Sequence, residues 1–206
     1  MEDDMFVQVF QGPVSDAGQA RAQMDRWMSD LAPGAEGWLG STGGVTDDGT
    51  FIALARFESE EAAMRNSDRP EQGEWWSGME ALFTGEPEFR NSSDVEVDTP
   101  GDPATAGFVQ VMQGRSTDPG RVRELMAQDP TDWASFRPDI LGSVSANHED
   151  GEWTMCLYFT SEEAAREGEQ KEPPPELQAI MEEMGSLNVG EPTYYDLRQP
   201  WLDGPG

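Results

Sequence analysis

Histidine, cysteine and lysine each occur once in the 206 residues, as His148, Cys156 and Lys171. A lone cysteine excludes an internal disulfide framework and a cysteine-based zinc site. A lone histidine argues against Ser-His-Asp catalysis and against metal enzymes that draw histidines from both halves of a duplicated chain. Positive charge is also scarce: 13 Lys+Arg stand against 41 Asp+Glu, a net charge of −28. A surface this negative repels nucleic acid and anionic membranes, so neither is an expected partner. A macromolecular partner would have to present a basic surface. No apolar run approaches the ~20 residues of a membrane span. Met1-Glu2-Asp3-Asp4 is acidic where a signal peptide is basic, which points to a cytoplasmic location. Leu, Ile, Val and Phe are together sparse, and with this charge that would suggest disorder. Eleven Met, seven Trp and three Tyr supply the missing core material.

What the chain does contain is a repeat. Phe6-Val7-Gln8-Val9-Phe10-Gln11-Gly12 recurs as Phe108-Val109-Gln110-Val111-Met112-Gln113-Gly114. The same offset of 102 pairs Asp16 with Asp118, Arg21 with Arg123 and Leu39-Gly40-Ser41 with Leu141-Gly142-Ser143. It also pairs Ser59-Glu60-Glu61-Ala62-Ala63 with Ser161-Glu162-Glu163-Ala164-Ala165. From residue 6 to 82 there are 26 identities in 77 ungapped positions, which chance does not produce. Gly85-Glu86-Pro87 then matches Gly190-Glu191-Pro192 three residues out of step. Residues 1–97 form the first repeat, 98–106 a Pro- and Gly-containing linker, 107–199 the second repeat and 200–206 a frayed tail.

Each repeat spells the same element order. Phe6–Gln11 alternates as a strand. Asp16–Leu31 carries Ala20, Met24, Trp27, Met28 and Leu31 at helical spacing. Trp38–Val45 and Thr50–Phe57 flank Asp48-Gly49, a hairpin signal in which both turn residues take positive φ. Ser59 and Ser161 are placed to cap helices whose first turns carry two glutamates. That helix breaks near Pro70, and near Pro173-Pro174-Pro175 in the second copy, then resumes before a last strand after Pro87 and Pro192. The fold class is therefore α+β: two tandem ferredoxin-like βαββαβ repeats. A four-stranded sheet covered by helices on one face needs a cover for the other. The prediction is two repeats packed sheet-to-sheet as an intramolecular pseudo-dimeric α/β barrel, acting as a monomer or within a homo-oligomer.

Polar and aromatic side chains at matched positions are the site candidates. Gln8 and Gln110 interrupt apolar strands; with the valines set against the helices, both amides face the barrel interior. There they bond each other or touch a ligand. Arg56 and Tyr158 occupy one repeat position and share a strand face with Ile52 and Leu54, or Thr154 and Cys156. An anionic or quinone oxygen could be held there, with ion pairing the plainer role. His148 sits at a hairpin end and reads as solvent-exposed, or as an acid/base group in one half alone. Trp38 and Trp75 are core residues or walls of a planar-ligand pocket; their repeat partners at the same offset are Ile140 and Leu177, so the first half has more aromatic lining to offer. Cys156 reads as a buried small residue. No metal site is expected.

The residues Gly37-Trp38-Leu39-Gly40 entering the hairpin and Phe57-Glu58-Ser59-Glu60-Glu61-Ala62 leaving it resemble the dimeric α/β-barrel superfamily, and within it the antibiotic-biosynthesis-monooxygenase-like domains. The resemblance covers nearly the whole chain, once per repeat. It implies a small-molecule site in the barrel or between sheet and helices, a small aromatic ligand, and no cofactor. The haem-degrading branch of that superfamily places Asn, Trp and His where this chain has Gln8 and Gln110, Asn66 and Gly168, and Trp75 and Leu177, so haem ligation of that kind is not implied. Two functions follow from the resemblance. One is a cofactor-independent monooxygenase acting on a small aromatic or quinone-like substrate. The other is a non-catalytic binding or assembly protein of the same fold.

Overall fold

The computed structural model describes residues 5–205. The stretch Met1–Asp4, on which the expectation about a signal peptide rests, and the terminal Gly206 lie outside the described residues. The elements run β1 (Phe6–Pro13), α1 (Ala17–Asp30), β2 (Trp38–Val45), β3 (Thr50–Phe57), α2 (Glu60–Ser67), α3 (Pro70–Glu80), β4 (Glu88–Ser92) and β5 (Asp94–Asp98). They continue with β6 (Phe108–Arg115), α4 (Pro119–Gln128), α5 (Trp133–Phe136), β7 (Ile140–Asn147), β8 (Glu152–Phe159), α6 (Glu162–Glu169), α7 (Pro175–Ser186), β9 (Thr193–Leu197) and β10 (Trp201–Asp203). None of these helices is long and apolar enough to cross a membrane.

Two compact units result. Unit 1 holds the residues up to Val95 together with those from Gln199 on; unit 2 holds Glu96–Arg198. Each is built on one antiparallel sheet. The orders are β10-β2-β3-β1-β4 and β5-β7-β8-β6-β9. Without β10 and β5, both are the ferredoxin-like order that the repeat predicts. The fifth strand of each sheet is a finding that the sequence pattern does not contain. Trp201–Asp203, expected to belong to a frayed tail, pairs with Gly43–Ser41 of β2. The linker is ordered too: the Asp102 carboxylate accepts from the Ala104 amide at 3.0 Å and starts a single 3-10 turn, while Gly101 N donates to Leu141 O.

Local chemistry sets the element ends. Asp16, Ser59, Asp118 and Ser161 all accept a backbone N–H with their side chains at the starts of α1, α2, α4 and α6. Pro70 and Pro175 open α3 and α7, where a missing N–H costs nothing. The hairpins differ. Asp150 and Gly151 take φ of 57° and 78°, as expected, but in the first copy only Gly49 has positive φ. There the Asp48 carboxylate takes the Thr46 hydroxyl, which closes the turn with one left-handed residue.

Cross-strand register decides which residues share a face. Gln8 stands opposite Ala55 and Phe10 opposite Ala53, while Val7 faces Arg56 and Val9 faces Leu54. Phe6, Phe51, Ala53 and Phe57 pack with Ala20, Met24, Trp27, Trp75 and Met79 of α1 and α3. Gln8 therefore lies on the helix-covered face, and Gln110, opposite Leu157, does the same. This corrects the expected placement of the two glutamines: the strands are apolar on both sides, and the larger phenylalanines fill the space under the helices. Val7, Val9, Ile52 and Leu54 on the opposite face are at most 2 % exposed. Each large apolar side chain removed from water this way contributes about 1.5–3 kcal/mol.

Candidate functional site

The helix-covered faces of the two units are built on the same rows and filled differently. In unit 1 one row runs Trp201–Gly43–Ala53–Phe10–Phe89 across all five strands. Phe10 meets Phe51 at 5.4 Å between ring centroids, Trp76 at 5.7 Å and Phe89 at 6.3 Å. Phe51 meets Phe83 at 5.9 Å and Trp201 at 6.0 Å. Phe83 lies so close over Gly12 that a Cβ there would come within 2.8 Å of its ring. In this half the aromatic side chains of the sheet face are packed on one another.

In unit 2 the corresponding row is Ser145–Met155–Met112–Tyr194. Trp153 lies beside it, opposite Asn147 and over Gly114, where a Cβ would come within 2.6 Å of the indole. Val122 and Met126 of α4, Met184 of α7 and Asn188 close the space from above. The result is a cavity of about 240 Å³ with a largely apolar lining. Glu96 of β5 and Arg123 of α4 stand at its edge, 3.5 Å apart and both about half exposed. Beyond that pair and the phenol of Tyr194, the polar lining is neutral: Ser116, Ser145, Asn147, Thr154 and Asn188. Four methionines, Met112, Met126, Met155 and Met184, give it an adaptable, polarisable surface.

None of the seven candidates singled out from sequence lines this cavity. Trp38 is 6 % exposed, edge-on to Trp27 at 5.0 Å, and its indole N–H is buried with no hydrogen-bond acceptor among the described residues. Trp75 is 3 % exposed and donates to Gln23 O at 2.7 Å. Gln8 is half-buried between Ala55 and Asn91. Gln110 is buried and donates its amide to Asp196 Oδ1 at 2.8 Å. Asp196 also binds Arg166, whose guanidinium lies 5.3 Å over the Phe108 ring and 2.9 Å from Glu169. Arg56 and Tyr158 occupy the face away from the helices of their own units, opposite Val7 and Val109. The Arg56 Nε is buried without a partner among the described residues; Tyr158 is buried. His148 is half-buried rather than solvent-exposed. Its Nε2 lies 2.9 Å from Thr154 Oγ1, which also accepts from Gln113 Nε2 at 3.2 Å. Cys156 is fully buried.

The signal that could have found the cavity is a difference between copies. Phe10 becomes Met112 and Phe51 becomes Trp153 at the repeat offset. The isolated bridges Val14–Phe83 and Ser116–Asn188 make Asn188 the counterpart of Phe83, so the second copy is already three residues longer before α7. On that count Trp76 corresponds to Met181, which is 54 % exposed and fills nothing.

The chain is a tandem duplication of a βαββαβ unit with helices on one face of its sheet. Solved structures share it over the whole chain. A candidate monooxygenase from Fusobacterium nucleatum matches at TM-score 0.77 and 10 % identity, over 100 % of this chain and 97 % of that one. A candidate monooxygenase from Lactobacillus acidophilus matches at TM-score 0.75 and 14 % identity, over 97 % and 96 %. An anthrone oxidase-like protein matches at TM-score 0.70 and 13 % identity, over 100 % and 93 %. The sequence matches no protein-family model and no curated protein.

Proposed function

We propose that this chain is a small-molecule-binding protein whose site is the cavity of unit 2. The ligand it suits is flat, aromatic and uncharged. The carrying observation is the cavity lined by four methionines, Trp153 and Tyr194, open where the same face of unit 1 is filled. Pockets for drug-sized ligands run to ~300–1,000 Å³. A cavity of about 240 Å³ suits a molecule of a few fused rings at most. The surrounding net charge of −28 opposes an anionic ligand. A cytoplasmic location is part of this reading, since a single buried thiol fits a reducing compartment.

Chemistry on the bound ligand is a second reading. It draws on the printed descriptions of the structural neighbours as monooxygenases and as anthrone oxidase-like. A cofactor-independent oxygenase has to take a proton from its substrate to make the carbanion that meets O2. Glu96 is the one carboxylate among the lining residues, and Arg123 holds it as an ion pair at the edge. That placement favours binding over turnover.

The test is a titration with 1,4-naphthoquinone followed by tryptophan fluorescence, in the wild type and in Trp153→Phe. Saturable quenching that shrinks in the variant supports the site. Equal quenching in both proteins refutes it. Oxygen uptake with anthrone, above its own autoxidation, would decide for catalysis, and its loss in Glu96→Gln would assign the base.

A further inference from the structure

We propose that the duplicated chain binds one ligand rather than two, because unit 1 stoppers its own copy of the site with side chains from two places. This rests on the reading of the unit 2 cavity given above. The first stopper is Phe83, seated over Gly12 and 5.9 Å from Phe51. Its counterpart in unit 2 is Asn188, which lines the open space. The second is Trp201 of the edge strand β10, 6.0 Å from Phe51 and held from the outside by the Arg21 guanidinium at 5.3 Å. In unit 2 the edge strand is β5, and it offers Glu96 to Arg123, the repeat partner of Arg21. Arg21 pairs with Asp25 at 2.7 Å and clamps the edge-strand indole, whereas the edge strand of unit 2 offers Arg123 a carboxylate in place of that ring.

The two exchanges act together. Each replaces a large ring by a short polar side chain at the rim of the same floor, and each opens the space beside the residue at the Phe51/Trp153 position. Edge-to-face and tilted contacts at 5–6 Å leave no room for a further ring between Phe10, Phe51, Phe83 and Trp201. The binding isotherm is therefore a simple hyperbola with no cooperativity between halves. The first half contributes a packed core and no site.

The stoichiometry is measurable by isothermal titration with 1,4-naphthoquinone, checked by native mass spectrometry. Wild type is expected to bind one molecule per chain. The closing variant Glu96→Trp with Asn188→Phe is expected to bind none while keeping its circular dichroism. The opening variant Trp201→Glu with Phe83→Asn is expected to bind two. Two molecules on wild type overturn the single-site inference and leave the binding function standing. One molecule on a folded closing variant also overturns it. No binding by wild type removes the function and the inference together. If the opening variant fails to fold, the closing variant decides alone.

Discussion

Removing the Asp139 carboxylate gives a stability loss that can be worked out from the structure. Arg137, at the end of α5, grips Asp139 with two nitrogens: Nη2 donates to Oδ2 at 2.7 Å and Nε to Oδ1 at 3.0 Å. The side chains are 11 % and 8 % exposed. The guanidinium also lies 5.8 Å over the Phe159 ring and reaches Ala165 O at 3.4 Å. Asp139→Ala strands this cation. Breaking a buried pair from one side costs ~3–5 kcal/mol. The ring and the carbonyl still hold the guanidinium, so the lower end applies, about 3 kcal/mol, or roughly a hundredfold in the folding equilibrium. The control is Asp30→Ala. Its partner Arg26 is 3.5 Å away and both side chains are more than half exposed, so the loss is at most about 0.5 kcal/mol. Burial works to raise the Asp139 pKa, and hydrogen bonds from Arg137, with the pull of Lys171, outweigh it and hold the group below its ordinary value. A depressed carboxylate contributes stability above its unfolded pKa of about 3.9, and that contribution is lost as pH falls through the folded value. Urea unfolding followed by tryptophan fluorescence should thus show the gap at pH 7 and a shrinking gap below about pH 4. A loss at pH 7 no larger than that of Asp30→Ala, or a gap unchanged at pH 3, would refute the reasoning.

Other positions can be checked by the same unfolding assay. Ser59→Ala and Ser161→Ala each remove a cap that accepts the Ala62 or Ala164 amide at 3.2 and 3.1 Å, and each should cost about 1 kcal/mol. Gly40→Ala should cost ~1–3 kcal/mol, because φ is +131° and the new Cβ would sit 2.9 Å from both Arg56 Nη2 and Asp203 O. Gly73→Ala, in α3 with nothing within 4 Å of its Cβ, should instead stabilise the protein by ~0.5–1 kcal/mol.

The element order was legible because two independent signals agreed in each repeat. Alternation marked β1 and β6, Asp-Gly marked the hairpins, and Ser-Glu-Glu marked α2 and α6. β5 and β10 carried no such signal. Asp94–Asp98 is acidic and mostly exposed, and Trp201–Asp203 has three residues, too few for a period. The face assignment of Gln8 failed for a different reason. With valine and phenylalanine alternating, both faces are apolar, and only side-chain volume under the helices distinguishes them. The cavity is harder still, because missing volume has no motif. It is written as Phe10 against Met112 and Phe51 against Trp153 within the aligned core of the repeat, and as Phe83 against Asn188 and Trp201 against Glu96 outside it.

The placement of β10 has a consequence for biosynthesis. A ribosome delivers the first sheet's β10 edge strand only after every residue of the second sheet has emerged. The early half must therefore wait on the nascent chain with one border of β2 bare, while the later half can complete its own hydrogen bonding as it is made. Such a gene cannot be cut at its midpoint into two complete folding modules, although its repeat suggests that it could.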